Sequence, residues 1–142
     1  MKALLYISMV IVFLAGCKTA NRTFADSNTS NTAGDTIRIA NEELQYEIII
    51  IDPGFTSWLN SRAKPREFYS QSFLEMRNSA WVREWNSRFL RADRNSIQLY
   101  EMQINYDFST DYGYEVNYLL YNYLTYFQIK NNVQLGGFVP KI

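Results

Sequence analysis

Tyr112-Gly113-Tyr114-Glu115-Val116-Asn117-Tyr118-Leu119-Leu120-Tyr121-Asn122-Tyr123-Leu124-Thr125-Tyr126-Phe127-Gln128-Ile129-Lys130-Asn131 reads as one helix with apolar residues on two sides. At 3.6 residues per turn, Val116, Leu119, Leu120, Tyr123 and Phe127 fall on one face. Half a revolution away lie Tyr114, Tyr118, Tyr121 and Ile129, and the flanks between carry Glu115, Asn117, Asn122 and Gln128. A helix of this kind is either sandwiched inside the domain or offers one face to a partner. Tyrosines combine rigid apolar area with a hydroxyl, which suits protein partners or sugar faces. Tyr114, Tyr118 and Tyr121 are therefore the candidate binding surface, with burial as the alternative.

Before this helix, Tyr100, Met102, Ile104 and Tyr106 alternate with Glu101, Gln103 and Asn105, the pattern of a strand with one wet face. A turn at Asp93 to Ser96 separates it from a helix running from Ser72 to about Ala92. Ser72 with Glu75 three residues later is a capping-box pattern. Leu74, Asn78, Trp81, Trp85, Phe89 and Ala92 line one side of that helix. A shorter helix, Pro53 to Ala63, starts after Asp52-Pro53-Gly54 and stops at Lys64-Pro65. Leu44 to Ile51 ends in four isoleucines, apolar on both faces, as in a strand covered on both sides. Gly136-Gly137 permits a turn, and Phe138-Val139 is a short closing strand. The sum is a single α+β domain over residues 42–142, with two or three strands packed against three helices.

The N-terminal third reads differently. Lys2 precedes an apolar run from Ala3 to Phe13, too short for the ~20 residues of a membrane span. Leu14-Ala15-Gly16-Cys17 resembles the lipobox of bacterial lipoproteins at all four positions. The resemblance implies that residues 1–16 are a cleaved signal peptide and that Cys17 is diacylated on sulfur and becomes the mature N-terminus. Residues 17–41 are rich in Thr, Asn, Ser, Ala and Asp and read as a flexible tether. Within it, Thr36 to Ile39 fits a short edge strand equally well. Asp35-Thr36-Ile37 resembles a short O-glycosylation signal of some Bacteroidota envelope proteins.

Composition excludes more than it includes. Without Lys2, the chain's 14 basic side chains become 13 against 14 acidic, so the processed form is near neutral. That argues against nucleic acid as a partner. The single cysteine leaves the exported domain without a disulfide. Histidine is absent, which removes Ser-His and Cys-His nucleophile pairs and His-ligated zinc. No cofactor or metal is expected. Asp52, at a strand-to-helix junction, reads as an N-cap ahead of a catalytic group. Ser61-Arg62-Ala63-Lys64 has the Ser-x-x-Lys spacing of penicillin-recognising enzymes, but its serine closes a helix and the companion motifs are missing. Asp107 to Asp111 lacks the ligand alternation of a calcium loop. Glu75, Glu84, Glu101 and Glu115 supply carboxylates, yet no spacing selects a glycosidase-like pair. Charge is segregated: residues 62–94 hold eight cations and four anions, whereas residues 95–127 hold four anions and no cation. Two neighbouring, attracting helices explain that pattern.

From Ile51 on, the chain resembles a family of short, uncharacterised Bacteroidota lipoproteins, a domain of unknown function. The likeness is carried by Asp52-Pro53-Gly54-Phe55, Trp58-Leu59, Lys64-Pro65 and Tyr69-Ser70-Gln71-Ser72. It continues through Trp81-Val82, Glu84-Trp85-Asn86, Met102-Gln103-Ile104-Asn105-Tyr106, Asp111 to Tyr118, and Gly137-Phe138-Val139-Pro140. The resemblance implies an envelope address and brings no activity, ligand or catalytic residue. The expected function is a non-catalytic module working by protein–protein contact, held to the outer membrane through Cys17 and facing the periplasm. A glycan- or lipid-binding module is the alternative, and a carboxylate-based hydrolase a remote one.

Overall fold

The computed structural model describes residues 36–91 and 99–141. The signal peptide, Cys17, the tether through residue 35, and the turn at Asp93 to Ser96 lie outside them. In chain order the elements are β1 (Thr36–Asn41), β2 (Tyr46–Ile51), α1 (Phe55–Arg62), α2 (Gln71–Arg91) and α3 (Tyr114–Lys130). This is the small α+β domain the sequence indicates.

β1 and β2 form an antiparallel hairpin with Thr36 opposite Ile51, Ile37 opposite Ile50 and Ile39 opposite Ile48. Thr36 to Ile39 is thus the edge strand of its two readings, and the folded unit starts ahead of Glu42. In the turn, the Asn41 side chain accepts the Leu44 N–H at 3.1 Å and Gln45 takes a left-handed φ of 51°. Ile37, Ile39, Tyr46 and Ile50 point into the core, whereas Ile49 and Ile51 are 54% and 75% exposed. The expectation of a strand covered on both faces is corrected here. Among the described residues the hairpin is the whole sheet, and only its inner face is packed.

α1 opens where the Asp52 carboxylate accepts the Gly54 N–H at 3.0 Å, and it ends at Ala63, whose extended backbone leads into Lys64-Pro65. α2 is capped by Ser70, not Ser72: the Ser70 hydroxyl accepts the Phe73 N–H at 3.3 Å. Glu75 instead accepts from Gln71, one turn back, at 2.8 Å. Leu74, Asn78, Trp81, Val82 and Trp85 are the buried stripe of α2.

Residues 99–106 follow an irregular path where alternation suggested a strand. The reason lies in α2, whose side chains take the backbone groups a sheet neighbour would have used. Asn86 donates to the Ile104 carbonyl at 2.8 Å and accepts the Ile104 N–H at 2.9 Å, and the Trp85 indole donates to the Met102 carbonyl at 2.8 Å. Tyr100 and Ile104 are buried as anchors, and Met102 faces solvent.

α3 runs through the middle. Twelve of its seventeen residues are buried, including Asn117, Asn122, Thr125 and Gln128 on the polar flanks. It packs on α2, β1 and α1. At its end Val133 N–H bonds the Gln128 carbonyl and Asn132 N–H the Ile129 carbonyl, with Asn132 left-handed at φ 51°. That is a Schellman stop with asparagine in the position glycine usually fills. Gln128 then accepts the Leu135 N–H at 2.7 Å and draws the C-terminal segment across the core. Phe138-Val139 is not a strand. Phe138 is held instead by the Arg77 guanidinium 3.7 Å from its ring, and by the Trp81 indole donating to its carbonyl at 3.2 Å.

Candidate functional site

The tyrosine band of α3 is turned inward. Tyr118 and Tyr121 are only 6% and 4% exposed, and Tyr114 is half-buried. Of the two readings of a doubly apolar helix, the fold has the sandwiched one. Each ring has a structural partner. Tyr118 donates to the Lys64 carbonyl at 2.8 Å, Tyr114 accepts the Glu67 N–H at 2.6 Å, and Tyr121 stacks on Trp81 with centroids 5.2 Å apart. Burial pushes the Tyr121 phenol up to about 12 and raises Tyr118 as well, so both stay neutral across the physiological range.

Tyr118 and Tyr121 nevertheless line a crevice between the end of α1, the loop ahead of α2, α3 and the C-terminal segment. Its other lining residues are Trp58, Arg62, Ala63, Lys64, Tyr69, Asn122 and Lys141. The enclosed room is about 10 Å³, the space of one water. Pockets that enclose small molecules run to hundreds of Å³, so a ligand here would rest at the mouth. In sequence Arg62 and Lys64 stand together in Ser61-Arg62-Ala63-Lys64, which does close a helix. The Ser61 hydroxyl donates to the Ser57 carbonyl at 2.7 Å, in the manner of any helical serine.

Asp52 serves the fold. Burial tends to raise its carboxyl, but Lys130, the Gly54 N–H and the Tyr126 hydroxyl outweigh that and hold it below the usual carboxylate range. Lys130 lies 2.8 Å from Oδ2, and Tyr126 donates to Oδ1 at 2.8 Å. The start of α1 is thereby clamped to the end of α3.

Several other carboxylates are likewise engaged. Glu84 pairs with Arg88 at 2.8 Å, and Glu115 takes both arms of Arg66, its Nε at 2.8 Å. The Arg66 pair joins the basic stretch to the acidic one from the loop before α2, where the charge pattern suggested helix-to-helix attraction. It lays the guanidinium 4.7 Å from the Tyr118 ring centroid. Asp107 accepts from Ser109, and Asp111 from Gly113 and Gln71, so the acidic turn spends its oxygens on its own loop and on α2.

A buried polar knot escapes periodicity analysis. Asn78 donates to the Asn117 carbonyl at 2.9 Å, Tyr106 donates to Asn117 Oδ1 at 2.7 Å, and Asn117 donates to the Gly113 carbonyl at 2.9 Å. Its only sequence signal is Asn78 standing inside an apolar stripe. It ties α2, the irregular segment and the start of α3 together.

Fold and crevice define a small α+β domain with a shallow, cation-rimmed aromatic site. The model of a family of unknown function, DUF6146, matches residues 4–140, and the chain belongs to that family. No curated protein matches it. No solved structure matches it either.

Proposed function

We propose that this protein is a lipid-tethered envelope module that works by protein–protein contact and not by catalysis. The observation carrying this reading is the outer face of the hairpin. The isoleucine run of β2 has the composition of a doubly covered strand, but the described residues cover one side only. Ile49 and Ile51 stand exposed beside Arg38 and Thr36, and neither outer edge of the sheet is paired among the described residues. The one charge on β2, Glu47, is paired with Arg38, and uncovered sheet edges recruit strands from other chains. The occupant is an extended segment of a partner protein, adding to the β2 edge and resting apolar side chains on Ile49 and Ile51.

The envelope address rests on the lipobox resemblance at Cys17 and the short apolar run before it. Among the described residues no helix is long and apolar enough to cross a membrane. Two or three acyl chains, at about 0.8 kcal/mol per buried CH₂, give stable attachment where one does not. The non-catalytic reading draws on the lack of histidine and on a crevice too shallow to enclose a substrate.

The test joins both halves. Wild type should enter the detergent phase of Triton X-114, while Cys17→Ser stays aqueous or uncleaved. Native envelope cross-linking should map contacts to β2, and Ile49→Thr/Ile51→Thr should lose them while stability stays within about 0.5 kcal/mol, as for other exposed substitutions. Aqueous wild type would refute the anchor. Unchanged cross-links in the isoleucine variant would refute the contact surface.

A further inference from the structure

Four cations of the domain meet carboxylates: Arg38, Arg66, Arg88 and Lys130 pair with Glu47, Glu115, Glu84 and Asp52. Arg62, Lys64 and Lys141 form no salt bridge among the described residues, nor do Arg77, Arg83 and Arg91, but Arg62, Lys64 and Lys141 converge on one crevice. Arg62 sits in the last turn of α1, where the helix dipole favours a cation. That accounts for one charge of three. Lys64 Nζ lies 5.6 Å from the Phe68 ring centroid, a contact that leaves its N–H donors free. No carboxylate is among the residues that line the crevice. Three cations without a salt-bridge partner among the described residues repel one another, and an anion that brings them together stabilises the site.

We propose that this crevice binds a phosphate group. The charge count selects it: a phosphate brings up to two negative charges and several acceptor oxygens, whereas one carboxylate brings a single charge and two. The size agrees, because room for one water admits one phosphate oxygen while the others stay at the mouth facing Arg62, Lys64 and Lys141. The walls suit the role too. Trp58 and Tyr69 exclude solvent from one side and strengthen the electrostatics. A phospholipid headgroup and free phosphate present the same chemistry. The site shares no residue with the hairpin face, so the two proposals stand or fall separately.

The test is calorimetric titration of the full chain in dodecyl maltoside micelles. One arm adds inorganic phosphate against sodium chloride of equal ionic strength. The other adds short-chain phosphatidic acid against short-chain diacylglycerol, which lacks the phosphate. Saturable heat with phosphatidic acid alone identifies a headgroup site, and saturation with inorganic phosphate as well identifies a site for phosphate itself. Arg62→Gln/Lys64→Gln should weaken either by at least tenfold at an unchanged melting temperature. Should that variant melt lower, Lys141→Gln alone carries the test, with at least a threefold loss. No saturable heat in either arm, or wild-type affinity in a folded variant, would overturn the proposal.

Discussion

A Cβ on Gly54 would lie 2.3 Å from the Tyr126 hydroxyl, so only glycine lets that ring reach Asp52. The close approach is the condition for the clamp in which Asp52 holds Lys130 and Tyr126 together. Asp52-Pro53-Gly54 announces a turn and a cap in sequence, but its partners lie more than seventy residues away and carry no local signal. Because the folded-state pKa of Asp52 is depressed, its contribution to stability is complete above the unfolded value of about 3.9. It is lost as pH falls through the lower folded value. Asp52→Asn keeps the shape and removes the charge. Denaturant unfolding should therefore show a loss of about 1 kcal/mol or less at pH 7, given the partial exposure of Lys130. The gap between wild type and variant should close between pH 5 and pH 2. A gap that persists at pH 2 would show that the charge is not what Asp52 contributes.

At the scale of elements, helices were legible and extended segments only in part: β2 reads as a strand, but its cover on one face alone does not show. The three helices announce themselves through apolar spacing and end signals, although α2 takes its cap from Ser70. Residues 99–106 alternate as a strand does, since alternation reports only which side chains face inward. It does not report whether a neighbouring strand exists to accept the backbone, and here Asn86 and Trp85 fill that place. Thr36 to Ile39 is too short to decide by itself, and reads equally as tether or edge strand until β2 is known to lie beside it. Asn86→Ala should release the segment, because it deletes both bonds to Ile104 and leaves that partly buried backbone unpaired. A loss of about 1–3 kcal/mol follows from such orphaned groups. Hydrogen exchange should speed up first at Ile104. Uniform acceleration across α2 and α3 instead would show that the anchor is not local.

For the whole molecule, the aromatics take the place of a disulfide. Phe55 meets Trp58, Tyr123 and Tyr126 with ring centroids 5.4–6.4 Å apart, and Trp85 meets Tyr100, Tyr123 and Phe127 at 4.4–6.3 Å. Both clusters share Tyr123 on one side of α3, while Tyr69, Phe73 and Trp81 cover Tyr121 on the other with ring centroids 5.2–6.0 Å apart. That explains why the helix carries two apolar bands and why Tyr118 and Tyr121 are not a free surface. The sequence shows the two apolar bands but not what covers them, since cover is decided by long-range packing. The crevice was illegible for the same reason: Arg62, Lys64 and Lys141 come from the end of α1, the loop after it and the C-terminal segment. A domain of this size holds about 5–10 kcal/mol in all. Truncating a buried Trp costs about 3–5 kcal/mol, and Trp85 would also abandon the Met102 carbonyl. Trp85→Ala should accordingly be marginal or unfolded at 37 °C. Trp85→Phe, which keeps most ring contacts and loses only the indole donor, should fold with a lowered melting temperature. Thermal melts of the pair decide it: if Trp85→Ala melts with wild type, the α2–α3 seam is not the core, and the stability of this chain must be sought elsewhere.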